Sequence, residues 1–146
     1  MKKVLYIDMD NVLVDFPSGI DKLDAKTKLE YKDNYDETPG IFSLMDPLPD
    51  AITSFNLLAD KYDTYILSTA PWKNSSAWSD KLLWVQKHLG EKAHKRLIIS
   101  HHKNMNKGHY LIDDREKNGA IQFEGELIKF GSDKFPDWQS VLNYLL

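Results

Sequence analysis

The sequence predicts an α/β fold in three layers, α/β/α, around a parallel sheet. Short apolar runs rich in Val, Ile, Leu and Tyr alternate with longer stretches of helical periodicity. That order gives a parallel sheet with helices on both faces. The first run is apolar without interruption, as a strand covered on both sides is. Polar groups also fall where the runs end, and in such sheets ligands sit beyond the carboxyl ends of the strands.

Residues 4–8 read as the first buried strand. Residues 17–38 hold most of the early Lys, Asp and Glu; Leu23, Lys26 and Glu30 fit one or two exposed amphipathic helices. "TPG" at 38–40 and "DPLPD" at 46–50 carry turn chemistry. Ala51, Phe55, Leu58 and Ala59 restore a helical period, and "YDTYILST" at 62–69 is the second strand. A helix starts near Ser75 or Ser76 and ends before Gly90. "RLIIS" at 96–100 and "YLIDD" at 110–114 are the third and fourth strands, and "ELIKFG" at 126–131 is a weaker fifth. The last helix begins near Pro136.

At 146 residues one compact domain is expected. A net charge of −3 argues against a dedicated nucleic-acid surface. There is no cysteine, which excludes disulfides and thiolate sites. No apolar run approaches the roughly 20 residues of a membrane span. Lys2 and Lys3 precede an apolar run too short for a signal peptide, because Asp8 ends it. A cytoplasmic protein is expected.

The chemistry starts from "DMD". Residues i and i+2 of an extended chain point to the same side, so Asp8 and Asp10 can face one small volume. Asp113 and Asp114 join them from another strand end. Four carboxylates at one rim repel unless a cation compensates them, and an all-oxygen set suits Mg²⁺. The plainer reading is a group of solvated turn acids. Thr69 offers a hydroxyl for a phosphate oxygen, or else caps a turn. Lys103 offers an ammonium for a phosphoryl group, with Lys107 as the competing candidate. His101 and His102 lack the spaced partners of a zinc site and read as loop residues lining the rim. A carboxylate can attack phosphorus covalently, and a second one can act as general acid and then base. Two acids on one side of a strand end meet that requirement.

With "DMDNV" at 8–12, Thr69 after a strand, Lys103, and "DD" at 113–114, the chain resembles the haloacid-dehalogenase-like (HAD) hydrolase superfamily. "DMDNVLVDF", "PGIFSLMDPLPDA", "LSTAPW", "LLWVQKHLG", "RLIISHHKNMNKGHYLIDDR" and "FPDWQSVL" resemble its 5′(3′)-deoxyribonucleotidase branch. The resemblance implies a Rossmann-like HAD core at 1–16 and 46–146, with a small, shortened helical cap at 17–45. It implies Asp8 as nucleophile and Asp10 as general acid/base, with Thr69, Ala70 and Lys103 on the phosphate. It implies Mg²⁺ held by Asp8, the backbone carbonyl of Asp10, and one of Asp113 or Asp114. Phe16, Phe42, Trp72 and Lys73 would line the substrate's mouth, while Trp78, Trp84 and Trp138 read as ordinary core packing. Asn11 replaces the usual glycine, in a residue type that tolerates unusual backbone angles. His109 stands where an acid is common, and the cap is shorter than in the animal enzymes.

The leading expectation is a Mg²⁺-dependent phosphomonoesterase acting on (deoxy)nucleoside monophosphates. A second is a HAD phosphatase for another small phosphorylated metabolite. A third, a phospho-receiver signalling domain, uses similar groups in a different chain order. Dehalogenase chemistry does not need the second aspartate, and a catalytically dead binding protein is disfavoured by the full set of catalytic positions. The expected partner is a small nucleotide, with a homodimer as the protein assembly entertained; neither a nucleic-acid polymer nor a membrane is expected.

Overall fold

The computed structural model describes residues 1–146. Five parallel strands form the central sheet: β1 (Val4–Ile7), β4 (Asp63–Ser68), β5 (Leu97–Ile99), β6 (Tyr110–Asp113) and β7 (Glu126–Lys129), in the order β5-β4-β1-β6-β7. All five expected strands are present, including the weak fifth. Two further short strands, β2 (Val14–Asp15) and β3 (Asp46–Pro47), pair antiparallel through Val14–Pro47 and Asp15–Asp46. That ribbon replaces part of the turn read at 46–50. Two short helices, α1 (Phe16–Asp21) and α2 (Ala25–Glu30), lie between its strands. The Asp15 and Asp24 side chains cap them, accepting from Ser18 N and Thr27 N.

The two faces of the sheet are covered differently. Leu5, Ile7, Ile66, Ile112 and Ile128 face a large core closed by three helices. These helices are α3 (Ala51–Lys61), α4 (Ser75–Leu89) and α5 (Trp138–Leu145). They supply Phe55, Leu58, Trp84, Val85, Trp138, Val141 and Leu145. The alternate residues Tyr6, Leu67 and Leu111 face a smaller cluster with Ala120 and Phe123. No α-helix covers that side. The links β5–β6 and β6–β7 carry only 3₁₀ turns, at Lys103–Met105 and Ala120–Gln122. The parallel α/β sheet is therefore as expected, but its second outer layer is loop and 3₁₀ turn. No helix is long and apolar enough to cross a membrane.

Helix ends follow their local chemistry. α4 begins at Ser75 and stops at Gly90, whose φ of 64° few other residues adopt comfortably. α5 starts with a capping box between Asp137 and Ser140. Its Trp138 is buried and donates from Nε1 to the Val12 carbonyl at 2.8 Å. This bond ties the last helix to the turn that follows β1. Trp84 does the same for the segment before β3, donating to the Met45 carbonyl at 3.0 Å.

Replacing Trp138 with Phe keeps most of the apolar volume but leaves the buried Val12 carbonyl without its donor. An unfolding free energy lower by about 1–3 kcal/mol is expected. Urea denaturation checks it, through a lower midpoint at unchanged slope.

Candidate active site

Parallel pairing sets the site. Ile7 lies beside Ile66 on one side and Ile112 on the other. Asp8 therefore leaves the sheet level with the ends of β4 and β6, and its N–H donates to the Ile112 carbonyl at 2.9 Å. The chain then turns sharply. The N–H groups of Val12, Leu13 and Val14 all point to the Met9 carbonyl, and Asn11 has φ of 60°. The asparagine at this position thus occupies the left-handed region that its side chain tolerates. Its Oδ1 accepts from the Phe16 N–H at 3.3 Å.

Lys103, not Lys107, is the cation at the strand ends. Its Nζ lies 3.1 Å from Asp8 Oδ1 and 2.6 Å from Asp113 Oδ2. All three residues are buried, with 3%, 6% and 2% exposure. Lys107 is exposed, and its carbonyl accepts from the Tyr6 hydroxyl. The Lys103 loop is placed by Gly119, which sits at φ of 83°. A methyl group on Gly119 would collide with the Asn104 side chain and stand 3.0 Å from Lys103 N. The Lys103 N–H also donates to the Asn118 carbonyl at 2.7 Å. His109, at a position where an acid is common, accepts from the Val4 N–H at 3.0 Å, away from the strand ends that carry the acids.

Oxygens of Asp8, Asp113 and Asp114 lie within 4.8 Å of one another. Burial raises the Asp113 carboxyl to about 6, with the Asp8 charge adding to it and Lys103 opposing. Burial and the Asp8 and Asp113 charges raise Asp114 to about 7. Burial alone would depress the Lys103 ammonium, but the Asp8 and Asp113 carboxylates outweigh it and hold its pKa above the usual lysine value. Asp10 is raised by burial; Lys81 opposes this and Asp8 adds to it. Four acids thus share two buried ammonium groups, and three of the four are raised. Asp114 Oδ1 is buried with no hydrogen-bond partner. An unpartnered carboxylate oxygen beside two other carboxylates fits a hard divalent cation such as Mg²⁺.

Next to this cluster is an open cavity of about 680 Å³, within the usual size of a small-molecule site. Asp10, Phe16, Thr69, Ala70, Trp72 and Asp114 are on its wall. Tyr35 and Asp36 reach it from the segment between β2 and β3, and Arg115 and Lys117 border it. The Thr69 hydroxyl donates to the Ser100 carbonyl at 2.7 Å. Phe42 does not line the cavity. It is buried beneath Phe16, ring centroids 5.8 Å apart, because its 3₁₀ turn faces the core. Lys73 is exposed and also off the cavity wall. Trp72 is 83% exposed at the mouth, edge-on to His101. Trp78 departs from the core reading: it lies on the exposed side of α4 with its ring 5.9 Å from His101. Trp84 and Trp138 are core residues as expected.

Sequence reasoning missed Lys81. Its side chain is fully buried on α4, with Nζ 3.2 Å from each Asp10 carboxylate oxygen and 2.8 Å from Ser68 Oγ. Only its spacing on the buried face with Ala77, Trp84 and Val85 could have marked it.

Residues 24–137 match the profile of the family described as 5′ nucleotidase, deoxy (pyrimidine), cytosolic type C protein. The chain belongs to this nucleotidase family. It is 60% identical over 144 residues to a Vibrio phage KVP40 protein that carries the 5′(3′)-deoxyribonucleotidase name, spanning 99% of this chain and 85% of the relative. It is 25% identical over 165 residues to the human 5′(3′)-deoxyribonucleotidase, cytosolic type, spanning 93% and 77%. A haloacid dehalogenase-like hydrolase from Streptococcus pneumoniae shares the fold, with TM-score 0.58, 16% identity, and 98% and 90% of the two chains covered. The nucleotidase family is one of hydrolases, and this member is an enzyme of that class.

The raised carboxyl values predict a pH dependence for the protein in chelator. Asp113 and Asp114 keep protons in the fold that they release when unfolded at pH 4–7, so their contribution to stability is present at acid pH and fades as pH rises through about 6 and 7. The melting temperature is expected to rise as pH falls from 7.5 to 5. Asp114→Asn flattens that rise, and differential scanning fluorimetry checks both.

Proposed function

We propose that this enzyme is a Mg²⁺-dependent phosphomonoesterase that hydrolyses deoxynucleoside monophosphates to nucleoside and phosphate. The observation that carries the reading is the buried Lys103 between Asp8 and Asp113, with Asp10, Thr69 and Asp114 on the wall of the adjoining cavity. Residues 17–45 act as the cap over a core of 1–16 and 46–146.

Asp8 is the nucleophile. One of its oxygens bonds to phosphorus while the ester P–O bond breaks, and Asp10 gives its proton to the departing nucleoside oxygen. The upward shift of Asp10 favours the protonated form that this step needs. Asp10 then takes a proton from water, whose oxygen bonds to phosphorus as the Asp8–phosphate bond breaks. Lys103 holds Asp8 in place and offsets charge on the phosphoryl group. Thr69 and the Ala70 backbone receive the phosphate oxygens, for which the Thr69 hydroxyl turns from the Ser100 carbonyl. Asp8, the Asp10 carbonyl and Asp114 would hold Mg²⁺, while Asp113 is kept by Lys103 and by the Arg115 N–H at 3.0 Å. When bound, the ion neutralises phosphoryl charge and the mutual repulsion of the acids. Phe16, Tyr35 and Trp72 offer the nucleoside its apolar wall, and Phe42 supports Phe16 from beneath.

The test is an assay of the purified protein against 5′ and 3′ nucleotides of both sugars. Release of phosphate from deoxynucleoside monophosphates with Mg²⁺, and its loss in chelator, is expected. Asp8→Asn is expected to lower kcat by about three orders of magnitude or more. Turnover confined to sugar phosphates would replace the nucleotide with another small metabolite, and an active Asp8→Asn enzyme would remove the assigned nucleophile.

A further inference from the structure

The buried ammonium of Lys81 takes no part in the reaction described above, yet it touches one of its two acids. It is fully buried and does not line the cavity, so it cannot meet the substrate. Three contacts use its three N–H donors: Asp10 Oδ1 and Oδ2, both at 3.2 Å, and Ser68 Oγ at 2.8 Å. The Phe42 ring adds a fourth side, with its centroid 4.6 Å from Nζ.

We propose that Lys81 is a positioning residue that fixes the orientation of the Asp10 carboxyl for proton transfer. This rests on the reading of Asp10 as general acid and base. Equal distances to the two oxygens constrain the carboxyl plane, because rotating it lengthens one contact. Ser68 closes β4 immediately before Thr69. One ammonium therefore ties the proton-transferring carboxyl to the strand end that presents the phosphate-facing hydroxyl. Phe42 links the same ammonium to Phe16 on the cavity wall. Lys103 cannot replace it, being committed to Asp8 and Asp113 on the other side of β1.

The leaving group separates this role from simple charge balance. A nucleoside alkoxide needs the Asp10 proton as its P–O bond breaks. A p-nitrophenolate leaves without a proton, so only the second step, attack by water, then depends on Asp10. In Lys81→Met with Mg²⁺ present, kcat for a deoxynucleoside monophosphate is expected to fall about 100-fold, with KM changed less than about threefold. With p-nitrophenyl phosphate, a burst of one nitrophenolate per active site is expected, followed by slow turnover. In an Asp10→Asn background, Lys81→Met is expected to add less than about twofold.

Loss of the first step on both substrates without a burst, an unchanged kcat, or additive losses in the double variant would each overturn the proposal. If circular dichroism shows that Lys81→Met does not fold, Ser68→Ala decides. It removes one contact of the ammonium and is expected to give a smaller loss of the first step for the deoxynucleotide, with the nitrophenolate burst kept; loss of the burst, or no loss with either substrate, overturns the proposal. If the wild-type enzyme hydrolyses alkyl phosphates but no nucleotide, the substrate reading fails alone. The same comparison is then run with the alkyl phosphate.

Discussion

The ammonium of Lys103 between Asp8 and Asp113 is the contact on which the site depends. Two carboxylates and a lysine at this depth are stable only together, because each alone would bear the cost of leaving water. Their pairing fixes the ends of β1 and β6 against the loop after β5. It also leaves Asp114 with an unpartnered oxygen and a carboxyl raised to about 7. The same balance that secures the fold thus leaves an unsatisfied demand for positive charge where a phosphate ester would enter.

The sheet converts sequence distance into proximity. Asp8 and Asp113 are far apart in the chain, but β1 and β6 are neighbours in register. The loops then refine the placement. Gly119 allows the 103–105 turn to approach closely, and Asn11 holds the turn that separates the two early aspartates. Trp138 braces that turn from behind through the Val12 carbonyl. Asn74 Nδ2 donates to the Asp36 and Thr38 carbonyls, each at 2.9 Å, so the wall that carries Tyr35 is anchored to the start of α4.

Much of this was legible in the sequence, and the reasons are specific. The five sheet strands are short and apolar and end at polar residues, so the rim and its acids followed from pattern alone. The choice of Lys103 over Lys107 came from family resemblance; Lys103 lies between Asp8 and Asp113, and Lys107 is exposed. What was not legible depended on side-chain direction. Lys81 looks like any helical lysine until α4 is packed against β4 and the Asp10 turn. Phe42 and Trp78 exchanged places with expectation, one going to the core and the other to the surface. A 3₁₀ turn and a half-exposed helix have no strong hydrophobic period. The missing helices on the second face left no mark either, since loop segments with Ala120 and Phe123 cover it adequately.

In the proposed reaction Asp8 carries the phosphoryl group between the two steps. Rapid acid quench during turnover, followed by borohydride reduction and peptide sequencing, tests it directly, because reduction converts an aspartyl phosphate to homoserine. Homoserine at position 8 alone is the predicted result. Steady turnover with aspartate intact at position 8, or homoserine at another position, would contradict it.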